Sequence, residues 1–333
     1  MTAIDPQPVT AAQVVRPKWR VAGAIVLLLV ALAVPFGVSS FHLLQLTMVV
    51  VYAIALLGLN ILTGYNGQIS LGHGAFYAVG AYTMAILIER AGMPYWAIVP
   101  IAGVVCFIVG FLFGLPALRL EGHYLALSTF ALAIATPQLL KFHALESWTG
   151  GVQGAFVPTF DAPFGLPLRW DQWLYLFSLA VAVILFLAAR NLLRGSTGIA
   201  IMAIRDHPIA AKSMGINISL YKALTFGVSA MFTGIAGALG ALVAQFVSPD
   251  SFSIFLSLSL LVGAVIGGVT SISGAIFGAL FIEFVPNFAD QISKAVTWAV
   301  YGLFMIAFMY LMPNGIAGFL KAMGEWVCRR KAR

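Results

Sequence analysis

Long apolar runs separated by short polar segments dominate the chain from residue 21 onward. Runs of about 20 apolar residues are typical of helices that cross a bilayer. The pattern predicts an all-α, polytopic membrane helix bundle of about ten spans, which we place at 21–38, 44–62, 69–88, 95–115, 123–140, 172–189, 223–245, 254–270, 273–288 and 295–312. The GGVTSISG break between the eighth and ninth runs fits either a loop between two spans or a re-entrant turn.

Composition and charge favour the same class. The 333 residues are 61% hydrophobic and 9% charged, whereas soluble domains carry about 25% charged residues. The net charge of +7 is therefore interpreted by its location and not as a surface for nucleic acid. The basic residues before the first run also fit a secretory signal peptide. Because many spans follow and no small-residue cleavage site is evident, we interpret the first run as a retained span.

The distribution of lysine and arginine predicts the orientation. With the N-terminus inside, four of the 18 basic residues fall in outside segments: Arg90, Lys141, Arg169 and Lys294. Cytoplasmic segments of membrane proteins are enriched in these residues. We therefore predict a cytoplasmic segment at 1–20, a membrane domain at 21–320 with a cytoplasmic loop at 190–222 and an outside segment at 141–171, and a basic cytoplasmic tail at 321–333.

The cytoplasmic loop carries the signals of a short helix over 206–215. Asp206 is a favourable N-cap, Pro208 suits the first turn, and Gly215 can close the C-terminus. A helix this short is unstable alone in water, so we expect it to dock on a cytoplasmic partner. The residues of this predicted docking segment are Arg205, Asp206, His207, Pro208, Ile209, Ala210, Ala211, Met214 and Gly215.

A polar stretch, NILTGYNGQISLGHG at 60–74, lies at a predicted span boundary. Exposed to lipid, each unpaired polar group would cost several kcal/mol, so the stretch must be wrapped in protein or line water. Broken helices of this kind often form translocation paths; the alternative is an ordinary turn followed by a glycine-rich packing helix. The candidate substrate-path residues are Asn60, Thr63, Asn66, Gln68, Ser70 and His73.

Three ionisable residues have structural and functional alternatives. His73 lacks a carboxylate or cysteine at ligand spacing, so we interpret it as a hydrogen-bonded packing residue and not as a metal ligand or proton relay. His123 is expected at a cytoplasmic mouth. Glu283 is expected inside a span, where snorkelling or a helix-end hydrogen bond is favoured over ion coupling.

The two larger outside segments contain turn and aromatic residues. Segment 141–171 carries Trp148, Phe156, Phe160, Phe164 and Trp170 among prolines and glycines. It fits either an aromatic lid at the interface or a contact site for an external protein. In the segment SPDSFS at 248–253, Asp250 or Ser251 is expected to cap the next helix.

Glycines at helix-packing spacing recur along the predicted spans. The G-x-x-x-G pairs are 110 with 114, 263 with 267 and 274 with 278, and glycines 234, 237 and 240 crowd the seventh span. Small faces let helices approach closely in lipid. They predict a tightly packed bundle and leave open whether a second membrane subunit shares these faces. Cys106 in a span and Cys328 in the tail do not predict a disulfide.

Several motifs of enzymes and pumps are missing from the sequence. There is no G-x-x-x-x-G-K-[ST], H-E-x-x-H, C-x-x-C, G-x-S-x-G or G-x-G-x-x-G. Nor do the predicted spans carry a string of charged residues like the relays of ion-coupled carriers. We therefore expect no enzyme activity and no cofactor on this chain, and an energy source on another chain.

These segments together resemble the membrane permease subunits of branched-chain amino acid ABC importers, of the LivM type that pairs with LivH. The resemblance covers about residues 45–320 and is carried by LNILTGYNGQISLGHGAFYAVGAY (59–82), TGGVQG (149–154), AIRDHPIAAKSMGINISLYK (203–222), SAMFTGIAGAL (229–239), SPDSF (248–252) and LMPNGIAG (311–318). It implies a bacterial inner-membrane heterodimer with a LivH-like permease, driven by two ATPases (LivG- and LivF-like) that hold the ATP and magnesium. It also implies an extracytoplasmic amino-acid-binding protein, and a coupling helix at 206–215 that seats on an ATPase.

The sequence departs from the family pattern at a few positions. His207 and Pro208 stand where an acidic residue is common after the aspartate, and Lys212 stands where glutamate is frequent. The segment GGVTS (267–271) lacks a glycine before its serine, and LMPNG (311–315) lacks an arginine before its proline. Similar urea or short-amide permeases remain an alternative within the family. An ion-coupled carrier and a membrane enzyme are alternatives outside it.

Overall fold

The computed structural model describes residues 18–117, 120, 122–160, 167–292, 302, 305–308, 310, 315–319 and 323. Twelve α-helices lie within this part of the chain: α1 Lys18–Gly37, α2 Ser40–Leu59, α3 His73–Ala91, α4 Tyr95–Ala117, α5 His123–Leu140, α6 His143–Thr149, α7 Trp170–Arg194, α8 Ser196–Asp206, α9 Pro208–Ser213, α10 Ile218–Ala244, α11 Ile254–Gly267 and α12 Gly274–Ile292. A π-helix, Asn60–Tyr65, continues α2. Short 3₁₀ turns occupy Gly151–Gln153 and Pro249–Phe252, and further helical residues lie at 305–308 and 315–319.

The predicted all-α class is confirmed. The strands in the described ranges are β1 (Ala155–Phe156) and β2 (Phe246–Val247), which pair antiparallel with Ala155 opposite Val247. Helices overlap nine of the ten predicted spans, and the tenth, at 295–312, lies mostly outside the described residues.

Not every helix is long enough to cross a bilayer alone. By length and composition, five described segments could do so: Ser40–Tyr65, Tyr95–Pro116, His123–Leu140, Trp170–Arg194 and Ile218–Ala244. Helix α11 has 14 residues, which gives it a length of only about 21 Å. It is therefore shorter than the predicted eighth span.

Helix α10 forms the centre of the bundle. It packs against α2, α3 and α4, while α7 and α12 pack on the other sides of α2. In its most apolar stretch 83% of the residues are buried, against 22% for the corresponding stretch of α5. The apolar side chains of α5 therefore face outward, toward lipid or another subunit.

Glycines allow the closest helix contacts, as their spacing predicted. A Cβ atom on Gly110 would lie 2.3 Å from the Ala230 Cβ on α10. Between α11 and α12, a Cβ on Gly278 would lie 2.2 Å from the carbonyl oxygen of Gly263, and one on Gly267 would lie 2.1 Å from that of Gly274. These faces are used for helix packing within the chain.

Contacts group the connecting segments at two ends of the bundle. At one end, β1 pairs with β2 and Lys141 forms an ion pair with Asp250 at 2.6 Å. At the other, the Tyr65 hydroxyl donates to the Thr270 carbonyl oxygen at 2.8 Å and Arg205 reaches the π-helix. The first end holds predicted outside segments and the second holds predicted cytoplasmic segments, and which end faces the cytoplasm stays a prediction.

Candidate functional site

The polar stretch at 60–74 is a break between α2 and α3. Helix α2 widens into the π-helix, the chain runs without regular helix over residues 66–72, and α3 begins at His73. Two glycines make this path possible. Gly64 lies so close to the connection between α11 and α12 that a Cβ atom would be 1.9 Å from the Val269 carbonyl oxygen, and Gly67 adopts φ +73°.

All six predicted substrate-path residues lie in this break, and protein surrounds most of them. Thr63 is half-buried, whereas the other five side chains are buried. Within the break, the Thr63 hydroxyl donates to the Gln68 carbonyl oxygen at 3.2 Å, and Asn66 Nδ2 donates to Gln68 Oε1 at 2.8 Å. Asn60 Nδ2 donates to the Ser271 carbonyl oxygen at 3.2 Å. The expectation that protein encloses the stretch is confirmed, while direct contact with substrate stays a prediction.

His73 is held by hydrogen bonds on both ring nitrogens. Nε2 lies 2.7 Å from Ser229 Oγ, and Nδ1 lies 2.9 Å from Ser70 Oγ. The Ser229 hydroxyl donates its one proton to the Gly58 carbonyl oxygen at 2.7 Å, so it accepts from His73 and Nε2 carries the proton. Nδ1 then accepts from Ser70. The neutral ring satisfies every bond, as the interpretation of His73 as a packing residue requires.

We expect His73→Phe to lower the free energy of unfolding by about 1–3 kcal/mol, because Ser70 would keep a buried hydroxyl proton without an acceptor. Thermal unfolding in detergent would measure the change. His42→Phe is the matched control, since His42 is exposed. Equal melting temperatures for the two variants would contradict the structural role of His73.

Two buried amide oxygens in the break lack a donor within the described part of the chain: Asn60 Oδ1 and Asn66 Oδ1. The Asn60 amide nitrogen faces a backbone carbonyl oxygen, so exchanging its O and N would place two oxygens together and would not satisfy the residue. Each oxygen could accept a hydrogen bond from water or an ammonium group. The break therefore keeps acceptor capacity beyond its own internal bonds.

Polar partners on four other elements were missed from the sequence. Thr129 on α5 accepts from the Leu71 amide at 2.9 Å, Ser257 on α11 accepts from the Gly74 amide at 3.0 Å, and Ser229 lies on α10. The carbonyl oxygen of Ser271 comes from the connection between α11 and α12. The available signal was small hydroxyl residues inside apolar runs, which does not identify their partners.

The predicted docking helix exists but begins one residue later than expected. Helix α9 runs from Pro208 to Ser213, and Asp206 is the last residue of the preceding helix α8. The assignment of Asp206 as N-cap was wrong. A residue before proline is driven out of the helical conformation, and His207 accordingly has φ −148° and ψ 85° and takes the N-cap position. The placement of Pro208 in the first turn is confirmed.

Gly215 closes α9 as predicted. It has φ +81°, its amide donates to the Lys212 carbonyl oxygen at 3.0 Å, and the Ile216 amide donates to that of Ala211 at 3.1 Å. Glycine is favoured here because a side chain is strained in this left-handed conformation. The C-terminal end of α9 therefore follows directly from the sequence.

Helix α9 presents an apolar surface away from the bundle. Ile209 and Met214 are each 84% exposed, while Ala211 is buried against the chain. Ala210 and Lys212 are also exposed. Ile209 on α9 and Met214 at its C-cap are therefore two apolar side chains that nothing covers within the described residues, as the docking prediction expects.

The opposite end of the bundle carries a cap built from residues 141–160 and 245–253. Arg90 lies 4.3 Å from the centroid of the Trp148 ring and donates to the Ser147 carbonyl oxygen. A cleft of about 380 Å³ opens beside it and is lined in part by Glu89, Glu146 and Phe156. Segment 141–171 is thus an ordered cap over its described residues, and Phe164 lies outside them.

The capping prediction for 248–253 was also wrong. Ser253 occupies the N-cap position of α11 and makes no side-chain capping bond. Asp250 and Ser251 lie within the 3₁₀ turn Pro249–Phe252, and Asp250 turns to Lys141 instead. The ion pair ties the two connections of this end together.

The remaining predicted positions lie where their helices place them. His123 is the exposed first residue of α5. Glu283 is half-buried on α12, and its carbonyl oxygen accepts from Asn287 Nδ2 at 2.6 Å. Cys106 is buried on α4, and Cys328 lies outside the described residues.

Comparison with known proteins identifies relatives over most of the chain. Residues 42–312 match the family described as branched-chain amino acid transport system / permease component. The chain is 34% identical to the high-affinity branched-chain amino acid transport system permease protein LivM of Salmonella typhimurium, over 87% of this chain and 73% of that protein. It is 34% identical to LivM of Escherichia coli K12, over 88% and 73%, respectively.

More distant relatives include LivH proteins. The probable branched-chain amino acid transport permease protein LivH of Methanocaldococcus jannaschii is 25% identical over 74% of this chain and 81% of its own. No solved structure matches the chain. The family match and the LivM identities together show that this chain belongs to the branched-chain amino acid transport permease family.

Proposed function

We propose that this protein is the LivM-type permease subunit of an ABC importer for leucine, isoleucine, valine or related amino acids. It would form the translocation path with a LivH-like permease in the bacterial inner membrane, with both termini cytoplasmic. Two ATPase subunits, LivG- and LivF-like, would hold ATP and magnesium. The observation that carries the proposal, beside family membership, is the outward apolar surface of α9, where Ile209 and Met214 have no cover within the described chain.

In the proposed mechanism this chain carries out no chemical step; it couples the movement of the ATPases to the membrane bundle. ATP binding would close the two ATPases and carry α9 with them, and ATP hydrolysis would release it. Because the ATPases bind one bundle conformation more tightly in each nucleotide state, they shift the bundle between inward- and outward-facing states. Helix α9 connects to the bundle through α8, which buries Ile201 and Ile204.

The broken span between α2 and α3 is the proposed substrate path. An amino acid carries an ammonium and a carboxylate group, so a path with loosened backbone and amide acceptors can replace part of its hydration. Asn60 and Asn66 supply such acceptors. Apolar side chains of the substrate need little polar recognition, so most specificity would reside in the extracytoplasmic binding protein.

The cap is the proposed receiving surface for that binding protein. Trp148 and Phe156 are exposed on it beside the carboxylates of Glu89 and Glu146. Because carboxylates line this open cleft, the surface is better suited to contact with a water-soluble protein than to contact with lipid acyl chains. An aromatic lid at the membrane interface remains the alternative for this segment.

Purification from mild detergent tests the proposal. We expect the chain to co-purify with a second permease and two ATPases. In proteoliposomes, we expect the reconstituted complex to transport leucine toward the side on which its ATPases lie when ATP is supplied on that side. Competition by urea instead of leucine would favour the related urea permeases. Uptake by the chain alone, driven by a proton or sodium gradient without ATP, would replace the proposal with an ion-coupled carrier.

A further inference from the structure

Arg205, the first residue of the predicted docking segment, contacts the broken span. It is the penultimate residue of α8, three positions before α9 begins. Its Nη1 donates to the Gly64 carbonyl oxygen in the π-helix at 2.7 Å, although Gly64 lies 141 residues earlier in the chain. Its Nε donates to Asp206 Oδ1 at 2.9 Å, which holds the guanidinium in this direction.

The backbone around Gly64 and Gly67 favours this contact with Arg205. Gly64 lies near the C-terminus of the π-helix, where carbonyl oxygens lack helical partners and a cation is favourable. Gly67 then turns with φ +73° and packs on the aliphatic part of the arginine, so that a Cβ atom there would lie 2.8 Å from Arg205 Cγ. Arg205 therefore contacts the break at two points, through its guanidinium and its aliphatic part, while remaining partly exposed.

The π-helix carries this contact toward the polar residues of the break. Asn60, at its other end, donates to the Ser271 carbonyl oxygen, and Gly58 just before it accepts from Ser229. Ser229 in turn holds His73 at the start of α3. A displacement of Arg205 would thus act directly on the π-helix, which joins α2 to the irregular part of the break. Single π-helical turns inside α-helices are rare and often occur at functional sites.

We propose that Arg205 is a positioning residue that transmits the movement of α9 to the π-helix and so to the substrate path. The inference rests on the proposed function, because it assumes that ATPases move α9. It adds that the ATPases are held by α9, whereas Arg205 converts that movement into a change at Gly64. Loss of Arg205 therefore uncouples ATP hydrolysis from transport without releasing the ATPases.

The first test compares Arg205→Ala with Arg205→Lys in the reconstituted complex. For Arg205→Ala we expect normal retention of ATPase subunits but a fall of about tenfold in leucine imported per ATP hydrolysed, within the usual range for coupling between sites. Lysine keeps the positive charge but has one donor nitrogen in place of the two that Arg205 uses, so Arg205→Lys should recover part of the ratio. Arg194→Ala is the control, since Arg194 is exposed and its side chain makes no hydrogen bond or ion pair within the described ranges.

The second test disrupts the contact between Arg205 and the break by a substitution in the break. Gly67→Ala places a methyl group against Arg205 Cγ in addition to straining the backbone. Gly92→Ala is its matched control, because Gly92 is left-handed, with φ +57° and ψ 24°, and has no atom within 4 Å of the added Cβ. We expect Gly67→Ala to uncouple ATP hydrolysis from import and Gly92→Ala to transport normally. In the double variant Gly67→Ala/Arg205→Ala, the import-to-ATP ratio should be no lower than in the more affected single variant, since both substitutions disrupt the same contact between Arg205 and the break.

The outcomes separate this inference from the proposed function. A wild-type complex without ATPases would overturn the proposed function itself. If the wild type is coupled, an unchanged import-to-ATP ratio in Arg205→Ala overturns the role of Arg205 alone. Loss of ATPase subunits from Arg205→Ala also overturns it, because the residue would then belong to the docking surface. If Arg205→Ala does not fold, the comparison of Gly67→Ala with Gly92→Ala decides.

Discussion

Replacing Ile209 and Met214 together with aspartate is expected to release the ATPase subunits and abolish transport. Each side chain is 84% exposed, Ile209 on α9 and Met214 directly after it, so each is available to fill a groove on the partner. Burying two such side chains contributes about 3–6 kcal/mol, and the new carboxylates would also have to be desolvated. Even the lower figure corresponds to an affinity loss of more than about 100-fold.

The chain itself should fold normally in this double variant, because neither side chain packs into the bundle. Co-purification of the ATPases and leucine uptake in proteoliposomes are the two measurements. Ile199→Asp is the matched control, since Ile199 is 64% exposed on the neighbouring helix α8 and lies outside the docking segment. Retention of both ATPases by the double variant would show that α9 is not the docking element.

The helices and the docking segment were accessible from the sequence because their signals are local. Apolar runs placed α5 at 123–140, the bounds that the structure gives, and Gly215 marked the end of α9. The one-residue error at the start of α9 has a local cause as well. Asp206 matched the preference for N-caps, but the restriction that Pro208 imposes on His207 decides where the helix begins.

A second helix in the cytoplasmic loop was missed for a similar reason. Helix α8 buries Gly198, Ile201 and Ile204 on one face, at helical spacing. Its 11 residues are too few for a spanning run, and its polar flanks merged it with the loop. The signal was present as periodicity, but a search by hydropathy over about 20 residues does not detect it.

The contacts that build the site could not be predicted, because they join distant residues. His73 and Ser229 are 156 positions apart, and Arg205 and Gly64 are 141 apart. A single serine inside an apolar span does not indicate which backbone or ring it meets. The sequence predicted that the polar stretch must be enclosed, and only the three-dimensional arrangement shows which elements enclose it.

Gly80→Val is expected to destabilise the bundle by about 3 kcal/mol or more, the upper range for forcing extra atoms into a packed core. Helices α3 and α10 cross at this residue, and a Cβ atom on Gly80 would lie 1.9 Å from the Gly234 carbonyl oxygen and 2.7 Å from its Cα. Both atoms belong to the backbone, so no side-chain rotation can relieve the clash. The two helices would have to separate along their buried contact.

The same crossing holds the polar break in place, so the effect should extend to function. Gly237 packs on the Tyr77 carbonyl oxygen, with 2.0 Å from an added Cβ, and Tyr77 lies one turn after His73. Gly37→Val is the matched control, since Gly37 is also helical and has no atom within 4 Å of an added Cβ. Thermal unfolding in detergent should show a much lower midpoint for Gly80→Val and a nearly unchanged one for Gly37→Val. Similar midpoints for both variants would mean that α3 and α10 do not meet at Gly80. That result would also contradict the conclusion that α10 encloses the break.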